Sequence, residues 1–85
     1  MNTLKKHKQD GWRRTVLKSG TVSFEGTRIG CSVLNMSTGG AGLVIESDVA
    51  MPSLLDLEID EERIRRRCLL VWRNERQIGV SFNLD

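Results

Sequence analysis

Asn35-Met36-Ser37-Thr38-Gly39-Gly40-Ala41-Gly42 is the stretch on which the fold turns. Before it, over Arg28 to Leu34, Ile29, Cys31 and Val33 alternate with Arg28, Gly30 and Ser32. That period of two marks a strand with one buried face. After it, Ala41 to Ile45 reads as a second strand with Ala41, Leu43 and Ile45 inward. The stretch is therefore a polar turn between two strands, with the pattern Asn-x-Ser-x-x-Gly. Asn and Ser bring donors and acceptors, and Gly39-Gly40 let the backbone approach a ligand or take positive φ. An ordinary β-turn uses the same residue types, so the stretch alone leaves both readings open.

Toward the N-terminus, Glu25-Gly26 is a tight-turn signal that folds the run back onto a strand at Thr21 to Phe24. Ser19-Gly20 reads as a turn and Trp12 to Lys18 as a short hinge. Residues 1–11 lack an apolar period and read as a flexible basic arm. His7, the single histidine, has no partner nearby in sequence and reads as exposed and inert.

Toward the C-terminus, Met51-Pro52 cannot continue a ladder and marks a crossing. Leu55, Leu57 and Ile59 then alternate with Asp56, Glu58 and Asp60. Ile64 to Arg73 reads as a long strand with Arg66, Cys68, Leu70 and Trp72 on one face. Arg65 and Arg67 point the other way, and cross-strand ion pairing with the Asp60-Glu61-Glu62 run is the reading for this basic stretch. Gln77 to Phe82 closes the chain, with Ile78, Val80 and Phe82 inward and Gly79 suited to a bend or a close approach. Six short strands and no convincing helix predict an all-β fold, a small six-stranded antiparallel β-barrel, since closure removes exposed edges.

The bulk properties narrow the function. Eighty-five residues make one domain, and 39% hydrophobic with 28% charged is an ordinary globular balance. Residues 1–20 hold six basic side chains (Lys5, Lys6, Lys8, Arg13, Arg14, Lys18) against Asp10, a net +5. The other 65 residues hold seven basic against ten acidic side chains, a net −3. A basic arm on a mildly acidic body draws anions to one end. Cys31 and Cys68 sit in apolar runs, as buried free thiols do, and no Cys/His cluster suggests zinc. The chain shows no signal peptide and no membrane span, which places the expected location in the cytoplasm. No Ser/His/Asp or Cys/His arrangement points to an enzyme. With two Phe and two Trp, no strand interleaves surface aromatics and basic groups, which argues against a nucleic-acid partner.

Arg13-Arg14 are the natural complement to the polar turn. A guanidinium holds phosphate, or the O6/N7 edge of guanine, with paired hydrogen bonds, and it stacks on bases. Lys18, four residues after Arg14, neutralises phosphate without the planar fork. A solvated basic hinge would look the same in isolation.

Taken together, these residues resemble the PilZ domain, the bacterial receptor module for cyclic di-GMP. The resemblance covers roughly residues 12–83, beginning at Arg13-Arg14, and implies a barrel domain over 12–85. It runs through Cys31-Ser32-Val33-Leu34-Asn35-Met36-Ser37-Thr38-Gly39-Gly40-Ala41 and closes with Cys68-Leu69-Leu70-Val71-Trp72-Arg73 and Ile78-Gly79-Val80-Ser81-Phe82. It implies a cyclic di-GMP site in which Arg13 and Arg14 swing onto phosphates and guanine edges. Asn35 and Ser37 would hydrogen-bond a guanine, and Gly40 would keep the turn in shape. Trp72 would pack on the ligand or the arm, or equally serve the core. The ligand itself is then the only small molecule needed, without a further cofactor or metal. Binding would order the arm and alter a surface read by a protein partner, in a monomer or weak homodimer. One departure stands out: the family's Arg-x-x-x-Arg is Arg14-x-x-x-Lys18 in this chain. The alternative the departure raises is a PilZ-like barrel that does not bind the nucleotide and serves as a protein-interaction module.

Overall fold

The computed structural model describes residues 14–84, and side chains from Val16 onward. Arg13 and the arm expected over residues 1–11 lie outside the described residues. Six strands form: β1 (Arg14–Phe24), β2 (Thr27–Met36), β3 (Gly40–Ile45), β4 (Leu54–Ile59), β5 (Ile64–Asn74) and β6 (Gln77–Ser81). They close into an antiparallel barrel in the order β1-β2-β3-β6-β5-β4, with β4 pairing back to β1 over Gly20–Ser23. No helix occurs among the described residues.

The period-two pattern fills the interior. Among the described residues thirteen apolar ones are buried, from Val22 on β1 to Val80 on β6, with Leu43, Ile45, Leu57, Ile59 and Ile78 among the largest. No polar or charged residue is buried among those described. Burying each such side chain contributes about 1.5–3 kcal/mol. The β1–β2 turn takes left-handed φ at Glu25 (48°) and Gly26 (83°), which matches the twist of a two-residue hairpin. Between β3 and β4 the chain crosses the barrel, with Val49 and Met51 against the core. Arg73 secures that irregular segment: Nη1 donates to the Val49 carbonyl at 2.6 Å and Nη2 to Asp48 Oδ1 at 3.1 Å.

Three sequence expectations change. The first strand begins at Arg14 and runs through Ser19-Gly20, where a turn was expected. Gly20 serves close packing: a Cβ there would lie 2.6 Å from the Glu58 carbonyl oxygen of β4. Second, Arg65 and Arg67 pair with Asp56 on β4 at 3.1 and 3.3 Å, not with Asp60–Glu62. The β4–β5 register puts Asp56 directly opposite Arg67, and that proximity decides the partner. Partial desolvation raises the Asp56 pKa, but the hydrogen bonds from Arg67 and Arg65 outweigh it and hold the carboxyl below its ordinary value. Arg66, on the other face, lies 4.1 Å over the Phe82 ring.

Third, Trp72 does not share a face with Cys68 and Leu70. A bulge makes Val71 an extra residue between Leu70↔Val80 and Trp72↔Gly79. Downstream of it the faces change phase, and Trp72 stands outward, 44% exposed. A bulge at Leu34 turns Asn35 outward in the same way. A third sits on β1, where Val16 and Leu17 fall between Thr15↔Asn35 and Lys18↔Val33. From Lys18 back to Arg14, β1 has outrun β4 and pairs with β2 alone.

Two outcomes follow from this packing. Gly20→Ala drives a methyl into the β4 backbone and should cost about 1–3 kcal/mol in urea denaturation. Burial pushes the Cys31 thiol up to about 12 and Cys68 to about 11. Both should therefore resist a thiol-reactive disulfide reagent at pH 8 in the native protein and react fully in denaturant.

Candidate functional site

The bulges assemble one row across the outer face of the barrel. Asn35 pairs with Gly42, Gly42 with Gly79, and Gly79 with Trp72, so their Cβ positions share a face. The two central positions are glycines, and the two flanking side chains lie down over them. A Cβ on Gly42 would sit 2.9 Å from Asn35 Oδ1, and a Cβ on Gly79 would overlap the Trp72 indole. The result is a strip in which an amide and an indole lie flat on glycine backbone, with both glycines buried beneath them.

The Ser37–Gly40 turn closes one end of this strip. Ser37 N–H donates to the Gly40 carbonyl at 2.8 Å. Ser37 Oγ accepts from the backbone N–H groups of Gly39 (3.1 Å) and Gly40 (3.2 Å). The serine is thus a turn-former, as the bland reading held. Its O–H lies a long 3.5 Å from the Gly40 carbonyl, which leaves that donor weakly engaged. Gly40 is required by the close approach of β6, because a Cβ there would overlap the Val80 carbonyl oxygen. The Phe82 N–H donates to the Gly39 carbonyl at 2.8 Å and ties the turn to the end of β6.

Together these groups line an open pocket of about 180 Å³ that includes Ser37, Gly39, Gly40, Val71, Trp72 and Gly79. Every residue lining it is uncharged. Beside it, Asn35 Oδ1 is buried without a hydrogen-bond partner among the described residues. An orphaned buried acceptor is costly and is a position where an incoming donor is rewarded. Two larger grooves, of about 270 and 300 Å³, flank Asp56 near the β1–β2 turn. Arg65 and Arg67 already neutralise Asp56 there, and neither groove holds a buried polar side-chain atom without a partner among those described.

The expected residues divide cleanly. Ser37, Gly40 and Trp72 meet in the pocket, and Asn35 borders the same strip. The Arg14 backbone pairs with Met36 and the Thr15 backbone with Asn35, so β1 begins at the edge of the row. The Arg14 side chain and all of Arg13 lie outside what is described. Lys18 is not in the pocket. It pairs with Val33, an inward position, and its ammonium forms an ion pair with Glu62 in the β4–β5 turn. The hydrogen bond to Glu62 and the nearby carboxylates outweigh desolvation and raise the Lys18 pKa. The glycine strip was missed, apart from the close approach at Gly79; its sequence signal is a glycine placed in each of two otherwise apolar strands. Among the described residues no cluster of three His, Cys, Asp or Glu side chains is placed to hold a metal.

A closed six-stranded barrel, with an indole and an amide on its outer face beside a polar turn, has the architecture of a small binding module. The chain matches the PilZ domain over residues 8–85 and belongs to that family, whose members are receptors for cyclic di-GMP and bind rather than catalyse. No curated protein and no solved structure matches the chain.

Removing the room that Gly79 provides tests the strip directly. Gly79→Ala should lift the Trp72 indole from the sheet, redshift its fluorescence in a Trp12→Phe background, and cost about 1–3 kcal/mol in stability.

Proposed function

We propose that this chain is a cyclic di-GMP receptor domain, acting in the cytoplasm and without catalysis. The observation that carries the reading is the orphaned Asn35 Oδ1 beside the Ser37–Gly40 turn and the Trp72 indole. Guanine presents N–H donors along one edge and the acceptors O6 and N7 along another. Asn35 Oδ1 suits the donors, the Ser37 hydroxyl suits an acceptor, and the exposed indole gives a base a surface to stack on.

The pocket also argues for a second wall. At about 180 Å³ it is below the roughly 300–1,000 Å³ of a complete small-molecule site, and it carries no charge to meet a phosphate. Arg13 and Arg14, entering beside Asn35, supply that charge in this reading. The arm closes over the ligand from the β1 end, and the surface so formed is what a protein partner reads. In the competing reading, an interaction module without a nucleotide, one observation is favourable: Glu62 already engages the Lys18 ammonium.

Isothermal titration with cyclic di-GMP separates the two readings. Saturable binding is expected, with Arg14→Ala and Asn35→Ala each weakening it at least roughly tenfold, the scale of a lost charge-assisted or bidentate contact. Absence of binding at high micromolar dinucleotide would leave the interaction module as the surviving reading.

A further inference from the structure

The strand that delivers Arg14 to the site is poorly supported on one side. β1 is held between β2 and β4 only over Gly20–Ser23. The Asp60 N–H extends this by one bond, donating to the Ser19 carbonyl at 3.0 Å. From Lys18 to Arg14 the strand pairs with β2 alone, and it crosses the bulge at Val16–Leu17 on the way. Leu17 is 80% exposed and contributes little packing. An edge segment paired on one side only and interrupted by a bulge has a weakly specified register, and a slip of one residue turns every side chain beyond it to the opposite face. Here a slip that removed the bulge would put Val16 opposite Asn35 and move Thr15 opposite Met36.

We propose that Lys18 and Glu62 form a positioning pair that holds this overhang in register, and that Lys18 does not touch the ligand. The inference rests on the receptor reading and reassigns the residue that replaces the family's second arginine. Lys18 is the first residue of β1 on the barrel side of the bulge. Its ammonium is fastened across the barrel end to Glu62, in the turn that ends β4. Among the described residues this is the ion pair that ties the overhang to the β4 side. It fixes the bulge at Val16–Leu17, and with it the register that sets Thr15 opposite Asn35 and Arg14 opposite Met36. The acidic turn that looked like a partner for the arginine run thus serves the lysine instead.

The test compares Lys18→Met, Glu62→Gln, the double variant and Lys18→Arg, with cyclic di-GMP as the titrant. Each single neutral variant should raise Kd by the same factor, roughly two- to fivefold for a pair of this exposure, and the double variant by no more. Lys18→Arg keeps the tie and should stay within about twofold of the parent. Amide exchange over residues 16–19 in the ligand-free protein should quicken equally in both single variants and remain at the parent rate in Lys18→Arg. Two binding outcomes overturn the proposal. In one, Glu62→Gln leaves affinity unchanged or tightens it while Lys18→Met weakens it. In the other, Lys18→Arg gains an order of magnitude. Either would show the side chain at 18 meeting the ligand itself. Unchanged exchange in the single variants also overturns it. Should the parent protein not bind the dinucleotide, the receptor reading fails by itself, and the exchange comparison alone decides the fate of the tie.

Discussion

β4 hydrogen-bonds back to β1 over Gly20–Ser23, and that pairing closes the ring. Closure commits the inward side of every strand to a core of thirteen apolar residues, with no space inside for a ligand. Recognition is pushed to the outer face and the rim. There the sheet is flat and solvated, so a site needs a local departure from regular strands. The bulges at Leu34 and Val71 are that departure. They turn an amide and an indole out of phase with the core residues beside them, over two positions where glycine leaves room for those side chains to lie flat.

The strands were legible because each carries a local code. Ile29-Cys31-Val33 and Leu55-Leu57-Ile59 announce their buried faces without help from any other segment. Glu25-Gly26 announces its turn through the φ values that only a few residues tolerate. What failed to read was nonlocal. Gly20 looked like a turn because its reason for being glycine is a carbonyl on β4, thirty-eight positions away in sequence at Glu58. Trp72 looked inward because alternation carries no mark of an extra residue at Val71. Asp56 as the partner of Arg65 and Arg67, and Glu62 as the partner of Lys18, depend on register between strands, which composition and spacing do not encode.

The same distinction governs the site. Asn35, Ser37 and Gly40 were legible as a short motif, and Trp72 joined them by family resemblance. The glycine strip that seats them was only half visible, since two isolated glycines acquire meaning when β3 and β6 lie side by side. The charge is divided as well. The described wall of the pocket is neutral, and the described arginines with ion pairs spend them on Asp56, Glu58 and Asp48. The sequence places six of its thirteen basic side chains in the first twenty residues, and one of them, Lys18, pairs with Glu62. In the proposed receptor, shape and hydrogen bonding would come from the barrel and attraction of an anion from the segment that precedes it.

The overhang of β1 also leaves the ring with a short open flank. Along 14–18 the strand has β2 on one side and, among the described residues, no strand on the other. Where a strand has neighbours on both sides, closure denies another polypeptide access to main-chain donors and acceptors; along 14–18 one side lacks a strand partner, as an edge suited to an added strand does. That flank belongs to the same strand whose Thr15 sits opposite Asn35. A polypeptide docking along it and a ligand settling over the glycine strip would act on one piece of backbone. Communication between them would require no path through the packed interior, only the shared stiffness of five residues.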